Sequence, residues 1–379
     1  MSVTNQSTLP QIRFCKLCLT PDSRPRIEFD SLGVCNACLN AEEKNQIDWD
    51  IRREQFLRLV EESRPSKGPY DCIVPWSGGK DSSAIAYKLK FEFGLNPLLV
   101  TFSPLIPNDV GVHNREALIR AGFDHLMIRP NQNVSRHLAR RFFIERANPK
   151  IGWDAGINSV PLQAAVNYKI PLVVYAEHGE SEYGGRVLSE EHRKIRDMTE
   201  ILEHLVGDYP GNWVDDVVKD EDLAPYMFPS KTEIEDVGVK AIYFSYFFRW
   251  SMYENYQYIR DRIEFHTNPA GRTDGTFNDF DSLDDKIDNL YYYTQFIKFG
   301  FGRTIRDASR MIQNGQMTRE EGLELARKYD GEFPSNYHAD HLDYLDLSET
   351  EFTEVIDLHR NPEVWLQDGN QWKLRFSPE

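Results

Sequence analysis

The chain has 379 residues, and its 60 acidic against 44 basic side chains give a formal charge of −16. That balance argues against a general nucleic-acid binder, because such affinity comes from Lys and Arg neutralising phosphates. With 40% hydrophobic and 27% charged residues the composition is globular rather than disordered, the length suits roughly two or three domains, and no stretch is apolar for long enough to span a bilayer.

Residues 1–10 are polar and lack the apolar core of a signal peptide, so a cytoplasmic location is expected. Four of the five cysteines then fall together, as Cys15-x-x-Cys18 and Cys35-x-x-Cys38. This spacing suits paired knuckles that close a tetrahedral four-thiolate site, with structural zinc as the expected ion and an iron–sulfur cluster as the rival. Disulfides are disfavoured in a reducing compartment. Residues 41–67 carry helical spacing and end in a Pro- and Gly-rich stretch at 65–69, which reads as a connecting helix and linker.

An apolar run at 72–76, which places Cys72 in the core, leads into Ser77-Gly78-Gly79-Lys80-Asp81-Ser82, with Ser83 opening a helix. Glycines permit a turn with positive φ and close approach of a ligand. The unpaired amides at the helix start favour an anion, and Lys80 and the hydroxyls add charge and donors. The stretch reads as a phosphate trap, although its spacing is not that of a Walker loop. Apolar runs at 97–102, 125–128, 171–177 and 239–245 alternate with helical patterns at 114–121 and 134–146. The predicted fold is therefore α/β, a parallel sheet covered on both faces. Arg136, Arg140, Arg141, Arg146 and Lys150 cluster on the second of these helices, as a basic patch or as an ordinary solvated face.

Ligands in such sheets sit beyond the carboxyl ends of the strands. That rule groups the glycine loop with Thr101, Phe102 and Ser103, and with Glu177, His178 and Glu180, which lead into Glu182 and Tyr183. The carboxylates can hold magnesium on ATP phosphates or orient an acceptor, and His178 is a candidate acid or base. Aromatic residues from 244 to 258 suit a helix core or a stacking surface. The loop at 271–276 offers Arg272 and Thr273 as an anion clamp, with an ordinary turn as the equal alternative. Acidic residues from 281 to 288 suit a helix start, and Asp284, Asp285 and Asp288 also admit a metal role.

The glycine loop resembles that of the pyrophosphate-loop superfamily, whose members cleave ATP between the α and β phosphates. Taken with the cysteine pairs and residues 122–125, 177–185, 284–288, 298–303, 317–321 and 329–334, it resembles the N-acetyl sugar amidotransferases of bacterial surface-polysaccharide (LPS O-antigen) and nonulosonic acid pathways. Many relatives have Glu-Asn-Pro where this chain has Glu177-His178-Gly179, which weakens any role carried over to His178. The resemblance implies a Rossmann-like, adenine nucleotide alpha hydrolase-like fold. Its parts would be a zinc-ribbon knuckle at 11–45, a connecting helix and linker at 46–69, an ATP-binding domain at 70–250, and a mostly helical substrate or assembly region at 251–379. It also implies conversion of an acetamido group to an acetamidino group, with ATP, Mg2+ and structural Zn2+ as cofactors.

The implied acceptor is an anionic or nucleotide-linked acetamido sugar, for which Arg272 or Arg303 would serve as the clamp. No glutaminase is evident, so ammonia is expected from separate partners resembling the glutaminase and cyclase subunits of imidazole glycerol phosphate synthase. Neither nucleic acid nor membrane insertion is expected. The competing readings are a tRNA thiolase or tRNA-modifying ligase with the same loop, and a non-catalytic scaffold.

Overall fold

The computed structural model describes residues 11–379 other than 66, 188, 199, 200 and 370. Residues 1–10, where a leader was sought, and Ser66 in the predicted linker lie outside the described residues. No helix among those described is long and apolar enough to cross a membrane.

The cysteine-bearing segment begins the described chain and ends in α1 (Asn36–Glu43). Helix α2 (Trp49–Glu62) follows, capped by the Asp48 carboxylate. Then come β1 (Cys72–Pro75), α3 (Lys80–Phe91), β2 (Pro97–Phe102), α4 (Asp109–Arg120), β3 (Asp124–Ile128), α5 (Gln132–Arg146), α6 (Ile151–Tyr168), β4 (Leu172–Tyr175), the short α7 (Gly179–Tyr183), α8 (Glu190–Lys194), α9 (Lys231–Val237), β5 (Lys240–Tyr243), α10 (Phe244–Phe247) and α11 (Met252–Arg260). The C-terminal part holds α12 (Ile287–Phe299), α13 (Arg303–Gln313), α14 (Arg319–Tyr329), α15 (His338–Leu345) and α16 (Glu349–Leu358), and closes with a hairpin of β6 (Trp365–Asp368) and β7 (Gln371–Leu374).

The five strands β1 to β5 form one parallel sheet in the order β3-β2-β1-β4-β5. Each of the first four strand positions predicted from an apolar run is occupied, as is the fifth. The buried strands β1, β2 and β4 are almost wholly apolar, Thr101 apart, because helices cover both faces. On one face α3 packs with Phe56 of α2 and Phe244, Phe247 and Trp250, so this part of the aromatic run is core. On the other, α5 and α6 bury Phe142, Ile151 and Ala155 against β2 and β4. Because the order reverses between β1 and β4, loops leaving these two strands diverge and leave a crevice at their carboxyl ends.

Two expectations need correction. The acidic run at 281–288 lies mostly ahead of its helix, which starts at Ile287. The basic cluster is not on one helix, since Lys150 caps α6, nor is it free for a polyanion. Arg136 and Arg140 donate to the carbonyls that end α15, Arg141 and Arg146 pair with Asp215 and Asp208, and Lys150 is buried against Asp288.

Candidate functional site

The glycine loop leaves β1 and enters α3 at the topological switch point. Gly78 takes φ +95°, and a Cβ there would stand 2.4 Å from Arg115 Cγ, so glycine is required twice over. The loop borders a cleft of about 450 Å³. Its walls come from the loop, from Phe102 at the end of β2, from Glu177 and Gly179 after β4, from Lys150 and Asn158 of α6, and from Asp281, Asp284 and Asp288 far along the chain. A larger cavity, about 720 Å³, lies between α2 and β5. It touches no residue of the loop, so the smaller cleft is the candidate site.

Lys80 is almost fully buried, and its Nζ donates to Asp81 Oδ2 (2.8 Å) and to Asp281. Burial alone would lower its pKa, but the two carboxylates outweigh it and raise the group, so Lys80 is a fixed cation. Asp281 is shared with Arg306 at 2.7 Å, and Asn255 Nδ2 holds the other oxygen of Asp81 at 3.0 Å. Ser82 Oγ is buried and has no partner among the described residues. Ser83 Oγ instead accepts from the Trp76 indole at 2.9 Å, and Ser77 Oγ accepts from the Gly79 amide at 3.1 Å.

Glu177 receives a hydrogen bond from Tyr183 OH (3.0 Å), which in turn receives one from Trp250 Nε1 (3.2 Å). Burial, reinforced by the charge of Asp81, pushes Glu177 up to about 7. Asp284 is pushed up to about 6 by burial and then by Asp288. Several carboxyls thus line one cleft without enough cationic partners, an arrangement that suits a divalent cation on phosphate oxygens.

Other expected residues lie elsewhere. Thr101 Oγ1 donates to the Trp76 carbonyl and Ser103 Oγ to the Pro104 carbonyl, and neither lines the cleft. His178 is buried, with Nδ1 2.7 Å from Ser181 Oγ and its ring against Tyr243. Glu180 pairs with Arg26 and Glu182 with Lys44, so both tie α7 to the cysteine-bearing segment. Asp285 accepts from the amides of Leu105, Ile106 and Ile287, a structural use of both its oxygens. The predicted anion clamp is not assembled. Arg272 pairs with Glu332 outside the cleft, Thr273 is a buried turn residue, and Arg303 is 1% exposed, donating to the Asp281 carbonyl and packing beside Asp307.

Asp281, Arg306 and Arg196 were not anticipated as site residues. Arg196 lines the cleft with its guanidinium 4.0 Å from the Tyr175 ring centre. Only the run of acids at 281–288 carried any sequence signal for them.

The four cysteines are buried, with ligand atoms all within 4.8 Å of one another. Cys15 Sγ lies 3.8 Å from Cys38 Sγ, and Cys18 Sγ lies 3.6 Å from Cys35 Sγ. A tetrahedron with metal–sulfur bonds of about 2.3 Å has edges of about 3.8 Å. The cluster can therefore bind a metal.

Residues 274–376 match the family described as LPS biosynthesis protein WbpG-like, C-terminal domain. An uncharacterised protein of Methanocaldococcus jannaschii, MJ1599, is 30% identical over 87 residues, which are 23% of this chain and 31% of that protein. The chain thus spans about a third of the curated relative it matches. Among solved structures, the U34-tRNA thiolase NcsA from Methanococcus maripaludis with its [4Fe-4S] cluster superposes with a TM-score of 0.24 and 14% identity, over 50% of this chain and 63% of that one. A predicted subunit of tRNA methyltransferase from Methanocaldococcus jannaschii gives 0.23 and 17%, over 47% of this chain and 92% of that one.

Proposed function

We propose that this chain is an ATP-dependent, AMP-forming amidotransferase that converts an acetamido group of a sugar to an acetamidino group in bacterial surface-polysaccharide biosynthesis. One observation carries the reading. The segment that matches a polysaccharide-biosynthesis family supplies Asp281, Asp284, Asp288 and Tyr292 to the same cleft as the glycine loop, so the two halves of the chain build one site. In this reading the chain is of the pyrophosphate-loop type.

The amide oxygen attacks the α-phosphorus of ATP and pyrophosphate leaves. Ammonia then adds to the activated carbon, the C–O bond breaks, and AMP departs with that oxygen. A poor leaving group becomes a good one, and the nitrogen would lose its proton to Glu177. Lys80, the Ser82 hydroxyl and the loop amides hold the phosphates. Magnesium, held by carboxylates among Asp81, Asp284 and Asp288, would neutralise charge on the leaving pyrophosphate. Zinc is the ion proposed for the four thiolates, where no open position remains for catalysis. Ammonia would come from separate glutaminase and cyclase-like subunits in the cytoplasm.

The test is AMP and pyrophosphate release with ATP, magnesium and ammonium across a panel of acetamido sugars, with product masses recorded. Release coupled to replacement of one oxygen by NH supports the reading. Release dependent on tRNA, with none from any sugar, would transfer the chain to the tRNA-modifying enzymes.

A further inference from the structure

A second cavity, about 440 Å³, lies behind the candidate cleft, between the cysteine-bearing segment and helices α12 and α13. Gly179 lines both spaces. The partition between them is thin: Tyr183 faces the second cavity while its hydroxyl bonds Glu177, and Arg306 faces it while bound to Asp281.

Five cationic side chains line this cavity. Two are neutralised, Arg26 by Glu180 and Arg306 by Asp281 and Asp307. The other three, Arg24, Lys298 and Arg310, have no carboxylate within ion-pair distance among the described residues. Arg24 Nη1 donates to the carbonyls of Tyr183 and Gly184, and Lys298 Nζ donates to the Arg146 carbonyl at 3.1 Å. Arg310 lies 3.4 Å from the Tyr183 ring centre, and its Nε is buried with no hydrogen-bond partner. Burial lowers Arg24 to about 10, with repulsion from Arg310 adding to it, and burial lowers Lys298 to about 8.

Among the described residues the one other acid on the wall, Asp154, is itself pushed up to about 7 by burial. Half-buried cations without a carboxylate partner, two of them (Arg24 and Arg310) repelling each other, are costly to fold unless an anion joins them. Aromatic faces from Tyr183, Tyr291 and Phe301 add a surface on which a sugar ring can pack.

We propose that this cavity binds the anionic end of the acceptor sugar, a carboxylate or a phosphate, through Arg24, Lys298 and Arg310, while its amide passes Gly179 into the ATP cleft. The inference rests on the amidotransferase reading for the identity of the acceptor, but the anion site stands on its own geometry. It also gives the cysteine-bearing segment a task beyond stability: Arg24 lies between its two cysteine pairs, and Ser23 Oγ anchors the turn on the Phe299 carbonyl at 2.6 Å.

The experiment saturates the full chain with α,β-methylene-ATP and titrates glucuronate, UDP and UDP-glucuronate by calorimetry, with neutral N-acetylglucosamine as control. One molecule of an anionic probe should bind per chain, at least tenfold more weakly in Arg24→Gln and in Arg310→Gln, with analogue affinity held within twofold. Glucuronate alone or UDP alone then tells carboxylate from phosphate. No anion binding to the saturated protein, or binding unchanged in both folded variants, overturns the proposal. Gly179→Leu fills open space, since a Cβ there meets nothing within 4 Å. It should lose coupled AMP release. Anion binding that needs Arg24 and Arg310, without AMP release from any sugar, would keep the site and refute only the amidotransferase reading.

Discussion

At Lys80 the sequence alone suggests a charge that could be removed without harm to the fold, but the structure changes that expectation. Lys80 is buried between Asp81 and Asp281, so Lys80→Ala should abolish AMP release and also lower stability. Arg306 remains on Asp281 and Asn255 on Asp81. The loss should therefore be about 1–3 kcal/mol rather than the ~3–5 kcal/mol of a fully orphaned buried charge. Denaturant unfolding of the variant measures it, and an unchanged midpoint would show that the pair contributes nothing. Gly78→Ala meets both a left-handed φ and the stem of Arg115. A strain of about 1–3 kcal/mol displaces the loop, and ATP affinity should fall by about tenfold or more. Asp281 could not have been singled out from sequence, because it stands 201 positions from Lys80 and only the folded chain makes them partners.

Among elements, the cysteine-bearing segment supports a prediction on its metal. Two sulfur pairs 3.6 and 3.8 Å apart suit one ion, whereas a cubane cluster would have to push its thiolates further apart. The purified chain should hold about one zinc and no acid-labile sulfide, by elemental analysis and sulfide assay, and Cys15→Ser should lose the metal together with solubility. Iron with stoichiometric sulfide would overturn the assignment. The spacing of these cysteines was legible because local knuckles dictate it, and the strands were legible because burial on both faces makes them apolar runs. Helix α6 was not. It reads as an irregular stretch because it is buried on nearly every side, so no polar stripe marks its period, and it contains Pro161, Gly152 and Gly156. Gly156 is there because a Cβ would come within 2.5 Å of the Phe102 ring. The closing hairpin was also missed, since β6 and β7 are short, largely exposed and partly charged.

Across the whole molecule, the carboxyls set the direction in which stability changes with pH. Burial raises Asp154, Glu177, Asp285 and Asp330 to about 7 and Asp284 to about 6, against about 4 in the unfolded chain. Between pH 4 and 7 the native state therefore binds more protons at these groups, and stability falls as pH rises through that window. His125 and His341, lowered to about 4 by burial, act in the opposite sense between pH 4 and 6.5. Five carboxyls outweigh two imidazoles, so the thermal midpoint without nucleotide should fall from pH 5 to pH 7.5, by on the order of 2 °C for each kcal/mol lost. Magnesium with ATP should reverse the preference, because a bound cation favours the ionised form of the acids beside it. Its stabilising effect should be larger at pH 7.5 than at pH 5, and its binding should release protons, visible as a calorimetric heat that depends on the buffer's ionisation enthalpy. Asp154→Asn would flatten part of the slope in the free protein. A midpoint that rises over this range would mean that the cleft carboxyls are already ionised, and their surplus would then no longer argue for a divalent cation.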